Sequence, residues 1–228
     1  MFDGKFRAPI DRAVKPIGNV LRKTGLTPDH LTIIGLVVAV GAAVAIGFGE
    51  LRLGLLLVIC AALPDLFDGA LAKASNSSSQ RGAYFDSVVD RVTDATIFGG
   101  VAWYLASNDS PHMSILPFAV MAVSSLISYQ RAKAESLGLE AKGGLMERAE
   151  RIVLLCLGLL FDVLLIPILW VMLVLTCVTA VQRFVKVWRQ AAVAPVTLAR
   201  IELRRSRRQS RRVARLDRRH TRVPRRRS

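Results

Sequence analysis

The chain has 228 residues, a formal net charge of +15 and 52% apolar residues, with a mean hydropathy of +0.39. A soluble domain this basic is normally far less apolar, so charge and hydrophobicity must be segregated along the chain. From residue 200 onward there are fourteen Arg against Glu202 and Asp217, a net +12 that leaves +3 for the rest. This pattern excludes an ordinary soluble enzyme and a disordered nucleic-acid binder, and indicates a small polytopic membrane protein with a basic tail.

Residues 1–24 read as an interfacial amphipathic helix. Phe2, Phe6, Ile10, Val14, Ile17 and Leu21 recur every three or four positions, with Lys5, Arg12, Lys15, Arg22 and Lys23 between them. A helix of this kind lies in the headgroup plane on anionic lipid. Pro9 and Pro16 are expected to kink it. These residues lack the continuous apolar core of a cleavable leader. At the turn that follows, Thr27 and Asp29 are alternative caps for the first span.

A bilayer core needs about 20 mostly apolar residues per helix. Six stretches within residues 25–190 meet this: 31–48, 53–71, 84–106, 113–134, 152–167 and 168–188. The last boundary rests only on Asp162 and Pro167, so a five-span reading with one long or re-entrant segment stays open. Charge in the connectors discriminates. With both termini cytoplasmic, the external connectors contain one basic residue, Arg52. The cytoplasmic ones contain Lys73, Arg81, Arg131, Lys133, Lys142, Arg148 and Arg151. That is the positive-inside pattern, and it favours six spans. The expected class is an all-α integral membrane protein with six transmembrane helices and an N-terminal interfacial helix. Cys60, Cys156 and Cys177 sit in apolar runs without disulfide or zinc spacing.

Acids inside the apolar segments are the informative feature. Asp65 and Asp68 are three apart in the second span, and Asp86, Asp90 and Asp94 are four apart in the third. These spacings put each set on one helix face. Carboxylates within a span are costly and need counterions, yet Arg91 is a single cation against five acids, with Lys73 and Arg81 nearby on the connector. Hard divalent cations bound by Asp oxygens, Mg²⁺ above all beside phosphates, would supply the balance. For one Asp, a solvated vestibule would be explanation enough; for five at helical spacing it is not. A Mg²⁺ transporter is the non-enzyme alternative, but its acids would be spread across the membrane depth, whereas these cluster toward one face.

The run Asp65-x-x-Asp68-Gly69-x-x-Ala72-Lys73, eight residues, then Gly82-x-x-x-Asp86-x-x-x-Asp90 resembles the signature of the CDP-alcohol phosphotransferases. Every spacing agrees. Lys73 departs from the family Arg and keeps the charge without the bidentate fork. The resemblance implies transfer of a phosphatidyl group from CDP-diacylglycerol to an acceptor hydroxyl, with CMP leaving. It implies Asp65, Asp68, Asp86 and Asp90 at a site for two Mg²⁺ ions, Mn²⁺ being the alternative, with Asp90 as general base. It also implies a homodimer, for which Gly35, Gly41, Ala42 and Ala43 offer close helix contact. Gly69, Ala72 and Gly82 leave room for the nucleotide, beside Asp68 and Lys73. Asp29 and Thr32, at the same membrane level, are assigned to the CDP-lipid or, equally, to capping.

The segments Ser128-Tyr129-x-Arg131-Ala132-Lys133-Ala134-Glu135 and Gly143-Gly144-x-x-Glu147-Arg148-x-Glu150-Arg151 resemble one branch of that family, the actinobacterial phosphatidylinositol-phosphate synthases. This implies inositol 3-phosphate as acceptor. The near relative, phosphatidylglycerophosphate synthase, would take glycerol 3-phosphate. Arg131, Lys133, Arg148, Arg151 and Arg183 are the expected pocket for the acceptor phosphate. The alternative is that Glu147, Arg148, Glu150 and Arg151 brace one another as a charge ladder. The tail, residues 191–228, has no aromatics for base stacking. It is expected to be disordered and to meet anionic lipid headgroups rather than nucleic acid.

Overall fold

In the computed structural model, the residues described are 27–75, 80–108, 111–141 and 143–192, with side chains left out at Pro28 and over 64–75. The expected interfacial helix of residues 1–24 and nearly all of the tail lie outside them. Among the described residues there are six α-helices: α1 (Pro28–Gly47), α2 (Leu51–Ser75), α3 (Gln80–Ser107), α4 (Ile115–Ser136), α5 (Arg148–Leu160) and α6 (Leu165–Ala191). Short 3₁₀ turns, Pro111–Ser114 and Asp162–Leu164, precede α4 and α6. The chain divides into two compact units, Met1–Phe184 and Val185–Ser228, and the first contains the whole site described below.

Each helix starts or stops where its sequence has a physical reason to. Thr27 caps α1: its Oγ1 accepts from the His30 amide at 3.3 Å, and the Thr27 amide donates to His30 Nδ1 at 3.4 Å. Of the two expected caps, Thr27 therefore fills the role, and Asp29 lies in the first turn. Pro28 occupies the first turn, where its missing N–H costs nothing. Gly49, at φ 88°, turns the chain back into α2.

The boundary near residue 167 falls earlier than expected. α5 ends at Leu160, Phe161 is extended, and Asp162 opens a 3₁₀ turn. Pro167 lies inside the first turn of α6, where proline is tolerated, so it does not punctuate the chain. A single unbroken helix across residues 152–188 is thereby lost.

Among the described residues, three helical stretches are long and apolar enough to cross a bilayer: Asp29–Gly47, Pro111–Ser136 and Asp162–Ala191. The described apolar part of α2, Leu51–Leu63, is shorter. α5 has 13 residues, about 20 Å at 1.5 Å per residue. α3 has the length, 28 residues, but its N-terminal half carries Arg81, Asp86, Asp90, Arg91 and Asp94.

α1 packs against α2 and α3, α3 against α4, and α2 against α5. The core runs through Ala39, Ala42 and Ile46 of α1, Val58 of α2, Phe98 and Val101 of α3, Val120 of α4, Leu155 and Leu159 of α5, and Leu169 and Met172 of α6. α1 and α3 touch backbone to backbone: a Cβ at Gly100 would lie 2.6 Å from the Cα of Ala43. Ala42 and Ala43, read from sequence as dimer contacts, are thus buried within one chain. Short connectors reverse the chain between neighbours. The N-terminal ends of α1, α3 and α5 therefore share one end of the bundle with the C-terminal ends of α2 and α4 and with Arg183 of α6.

Candidate functional site

At that shared end, α3 presents Asp86, Asp90 and Asp94 on one face, all partly buried. α5 begins opposite them. Its N-terminus is closed by a capping box in which Glu150 Oε2 accepts from the Glu147 amide at 3.1 Å and Glu147 caps in return. The two acids serve the helix end, so the expected ladder is not the arrangement Arg148 and Arg151 adopt. Both arginines reach across to α3. Arg148 Nη1 donates to Asp90 Oδ1, and its Nε donates to Asp94 Oδ1 at 3.3 Å. Arg151 Nη2 donates to Asp94 Oδ2 at 2.9 Å. Arg91 adds a longer contact, Nη1 to Asp90 Oδ2 at 3.4 Å.

The count of local cations from sequence thus understated the supply. Two of the counterions for the α3 acids come from more than fifty residues away. Arg151 is 5% exposed and Arg183 4%, so neither is a surface charge serving topology alone. A buried guanidinium must be paired to be tolerated.

Arg183, on α6, works differently from Arg151. Its Nη1 donates to the Ile127 carbonyl of α4 and its Nη2 to the Gly143 carbonyl, both at 3.1 Å. Its nearest carboxylate is Glu147, at 3.7 Å. It therefore ties the α4–α5 connector to the bundle. Thr179, one turn earlier, helps: its Oγ1 accepts from the Met146 amide at 3.0 Å. The same hydroxyl-bearing side chain packs so tightly on Gly144 that a Cβ there would clash. Arg131 and Arg151 lie close enough to Arg183 for their charges to act on it, with Glu147 and Glu135 opposing them. Arg131 is exposed and pairs with Glu135 at 3.1 Å, and Lys133 is exposed on the same helix. Nε of both Arg151 and Arg183 is buried with no acceptor among the described residues.

Of the four motif carboxylates, Asp86 and Asp90 are described to their side chains. Asp65 and Asp68, with Gly69, Ala72 and Lys73, are placed on the last turns of α2 by backbone alone. Gly82 sits partly buried in the first turn of α3. Thr32 is 7% exposed and Asp29 partly buried, on the first two turns of α1. Sequence reasoning missed the roles of Asp94, Glu147 and Thr179. Only Asp94 carried a usable signal, its spacing of four from Asp90.

Residues 25–182 match the family described as CDP-alcohol phosphatidyltransferase. Phosphatidylinositol phosphate synthase of Streptomyces avermitilis is 36% identical over 207 residues, 85% of this chain and 85% of that protein. Two crystal structures of the Mycobacterium tuberculosis phosphatidylinositol phosphate synthase are similar throughout. The one with CDP-DAG bound has a TM-score of 0.73 at 33% identity, covering 80% of this chain and 98% of that one. The one in complex with manganese and citrate has a TM-score of 0.73 at 32% identity, covering 79% and 92%.

Proposed function

This chain belongs to the CDP-alcohol phosphatidyltransferase family, and we propose that it transfers the phosphatidyl group of CDP-diacylglycerol to a hydroxyl of inositol 3-phosphate. The hydroxyl oxygen attacks the lipid-side phosphorus, the bond to the CMP oxygen breaks, and the hydroxyl proton goes to a carboxylate. The observation that carries this reading is the meeting of Arg148 and Arg151 with the α3 acids. A base and a set of cations for a second phosphate then lie side by side.

Asp90 is the base in this reading, one helical turn from Asp86 on the same face. Its neighbours Arg148 and Arg91 hold the carboxylate in place, and a carboxylate within hydrogen-bond reach of the hydroxyl can take its proton. Asp65, Asp68, Asp86 and Asp90 are the ligands for two Mg²⁺ or Mn²⁺ ions. The fit is chemical: oxygen donors alone, spaced three and four apart on α2 and α3, suit hard divalent cations. Bound metal supplies charge stabilisation for the pyrophosphate oxygens and the leaving CMP. Asp29, Thr32, Gly69, Ala72, Lys73 and Gly82 surround the nucleotide. An acyl chain fits the wholly apolar groove of about 430 Å³ between α2 and α5, lined by residues such as Leu55, Ile59, Ile152 and Leu157. Arg131, Lys133, Arg148, Arg151 and Arg183 receive the acceptor phosphate.

The protein acts in the cell membrane, with six spans, both termini and the site on the cytoplasmic side, as a homodimer. The concentration of Arg and Lys at the site end supports that orientation. The segments 1–24 and 191–228 are, in this reading, interfacial helix and lipid-facing basic tail. CMP release from CDP-diacylglycerol, measured on purified protein with Mg²⁺ against a panel of acceptors, tests the assignment. Inositol 3-phosphate should be used and free inositol poorly. Equal use of free inositol rejects the cationic pocket, and preference for glycerol 3-phosphate keeps the pocket but changes the acceptor.

A further inference from the structure

We infer that Asp94, outside the family motif, is a positioning residue that sets the two arginines of α5 for the acceptor phosphate. The inference rests on the reading of Arg148 and Arg151 as acceptor-binding cations. Asp94 uses both carboxylate oxygens, and uses them on different partners: Oδ1 accepts from Arg148 Nε at 3.3 Å and Oδ2 from Arg151 Nη2 at 2.9 Å. A carboxylate shared in this way fixes the plane and the distance of both guanidiniums, whereas a single ion pair would fix one.

The surroundings make this clamp stiff. Asp94 and Arg151 lie in a small crevice walled by Val58, Ile97, Phe98, Ile152 and Leu155. The Asp94 side chain is 18% exposed and that of Arg151 is 6%. Apolar walls lower the local dielectric and strengthen charge-assisted bonds. Arg148 spans from Asp94 to Asp90, so the position of Asp94 also sets how the cation pair lies against the base. A carboxylate doing no more than balancing buried charge would not need two arginines from the helix facing the base. Arg151 Nε remains a buried donor with no acceptor among the described residues, in keeping with a guanidinium held for something further.

The test uses full-length Asp94→Asn, Asp94→Glu and Arg151→Ala proteins beside wild type in detergent. Each is assayed by CMP release with the phosphorylated alcohol, inositol 3-phosphate or glycerol 3-phosphate, that wild type uses better. Asp94→Asn should raise KM for that acceptor by about tenfold to a hundredfold, with KM for CDP-diacylglycerol within about twofold of wild type. Asp94→Glu retains the charge one methylene further out and should raise acceptor KM only severalfold, a partial rescue. If Asp94→Asn does not fold, Asp94→Glu decides: wild-type values of both KM overturn the inference. Equal increases in both KM values, or a loss confined to kcat, overturn it too, because a merely structural or directly chemical role gives those patterns. If Arg151→Ala raises acceptor KM and Asp94→Asn does not, the inference falls and the acceptor pocket stands. If neither raises it, the pocket reading falls and takes the role of Asp94 with it.

Discussion

Where α3 and α5 begin, four charged side chains, Asp90, Asp94, Arg148 and Arg151, are interlocked in partly buried surroundings. At the opposite end, where α3 finishes and α5 gives way to α6, the described residues are joined across elements by a side-chain bond, Tyr104 Oη to Asp162 Oδ1 at 3.0 Å, and an edge-on contact of Phe48 with Trp103. The connectors there are short and close on themselves, as in Asn108 Nδ2 to the Tyr104 carbonyl at 2.8 Å. Both ends fasten α3, to α5 at one end and to α1 and the turn before α6 at the other. One does so with buried charge, which is expensive to desolvate and no better for stability than apolar packing. The other does so cheaply. The contrast supports the proposal that the chemistry belongs to the charged end.

Substitutions should reproduce that gradient. Asp90→Asn removes the proposed base and should lower kcat by about 10²–10⁴-fold while CDP-diacylglycerol still binds. Near-wild-type CMP release would remove Asp90 from that role. Next comes Arg151→Ala, expected to raise acceptor KM by about tenfold to a hundredfold, because a charge-assisted contact is lost and Asp94 is left half-paired. Steady-state kinetics with each substrate varied in turn would show an equal effect on the CDP-lipid if this were wrong.

Gly100→Ala lies away from the charged end, one turn before Tyr104, and should act on stability alone, at about 1–3 kcal/mol, since its Cβ meets the Ala43 backbone. A melting temperature in detergent measures it. A wild-type value would mean that α1 and α3 separate easily. The smallest effect belongs to Tyr104→Phe, about 1 kcal/mol or less from one exposed hydrogen bond, with kcat unchanged. A large loss of turnover there would break the distinction between the two ends.

The helices were legible because long apolar runs with polar punctuation leave few choices. The exception shows the limit. Of the two marks read from sequence, Asp162 does sit at the break, opening the 3₁₀ turn, whereas Pro167 looked like a boundary and its ring fits the first turn of α6. The acid spacing on α3 was legible for the same reason, since i and i+4 share a face in any helix. What sequence could not supply was pairing across helices. Glu147 and Glu150 sit beside Arg148 and Arg151 in the chain and looked like their partners. The helix N-terminus claims those acids instead, because its amides need acceptors, and the arginines turn to α3. Arg183 likewise had no acid near it in sequence, and its partners, two backbone carbonyls, belong to no residue pattern at all.

The contact of Arg148 with Asp94 joins residues 54 positions apart. A ribosome adding about 5–20 residues per second needs roughly 3–11 s to cover that interval. In the six-span arrangement proposed above, the translocon must during that time handle α3 with three aspartates and without the arginines that will face them. A segment so charged inserts poorly by itself. Its entry into the bilayer is therefore tied to the α1–α2 hairpin ahead of it or to the arrival of α5 behind it. In that arrangement biogenesis becomes a cooperative event across several helices, and a ribosome stalled before residue 148 would leave α3 the segment most prone to slip back out of the membrane.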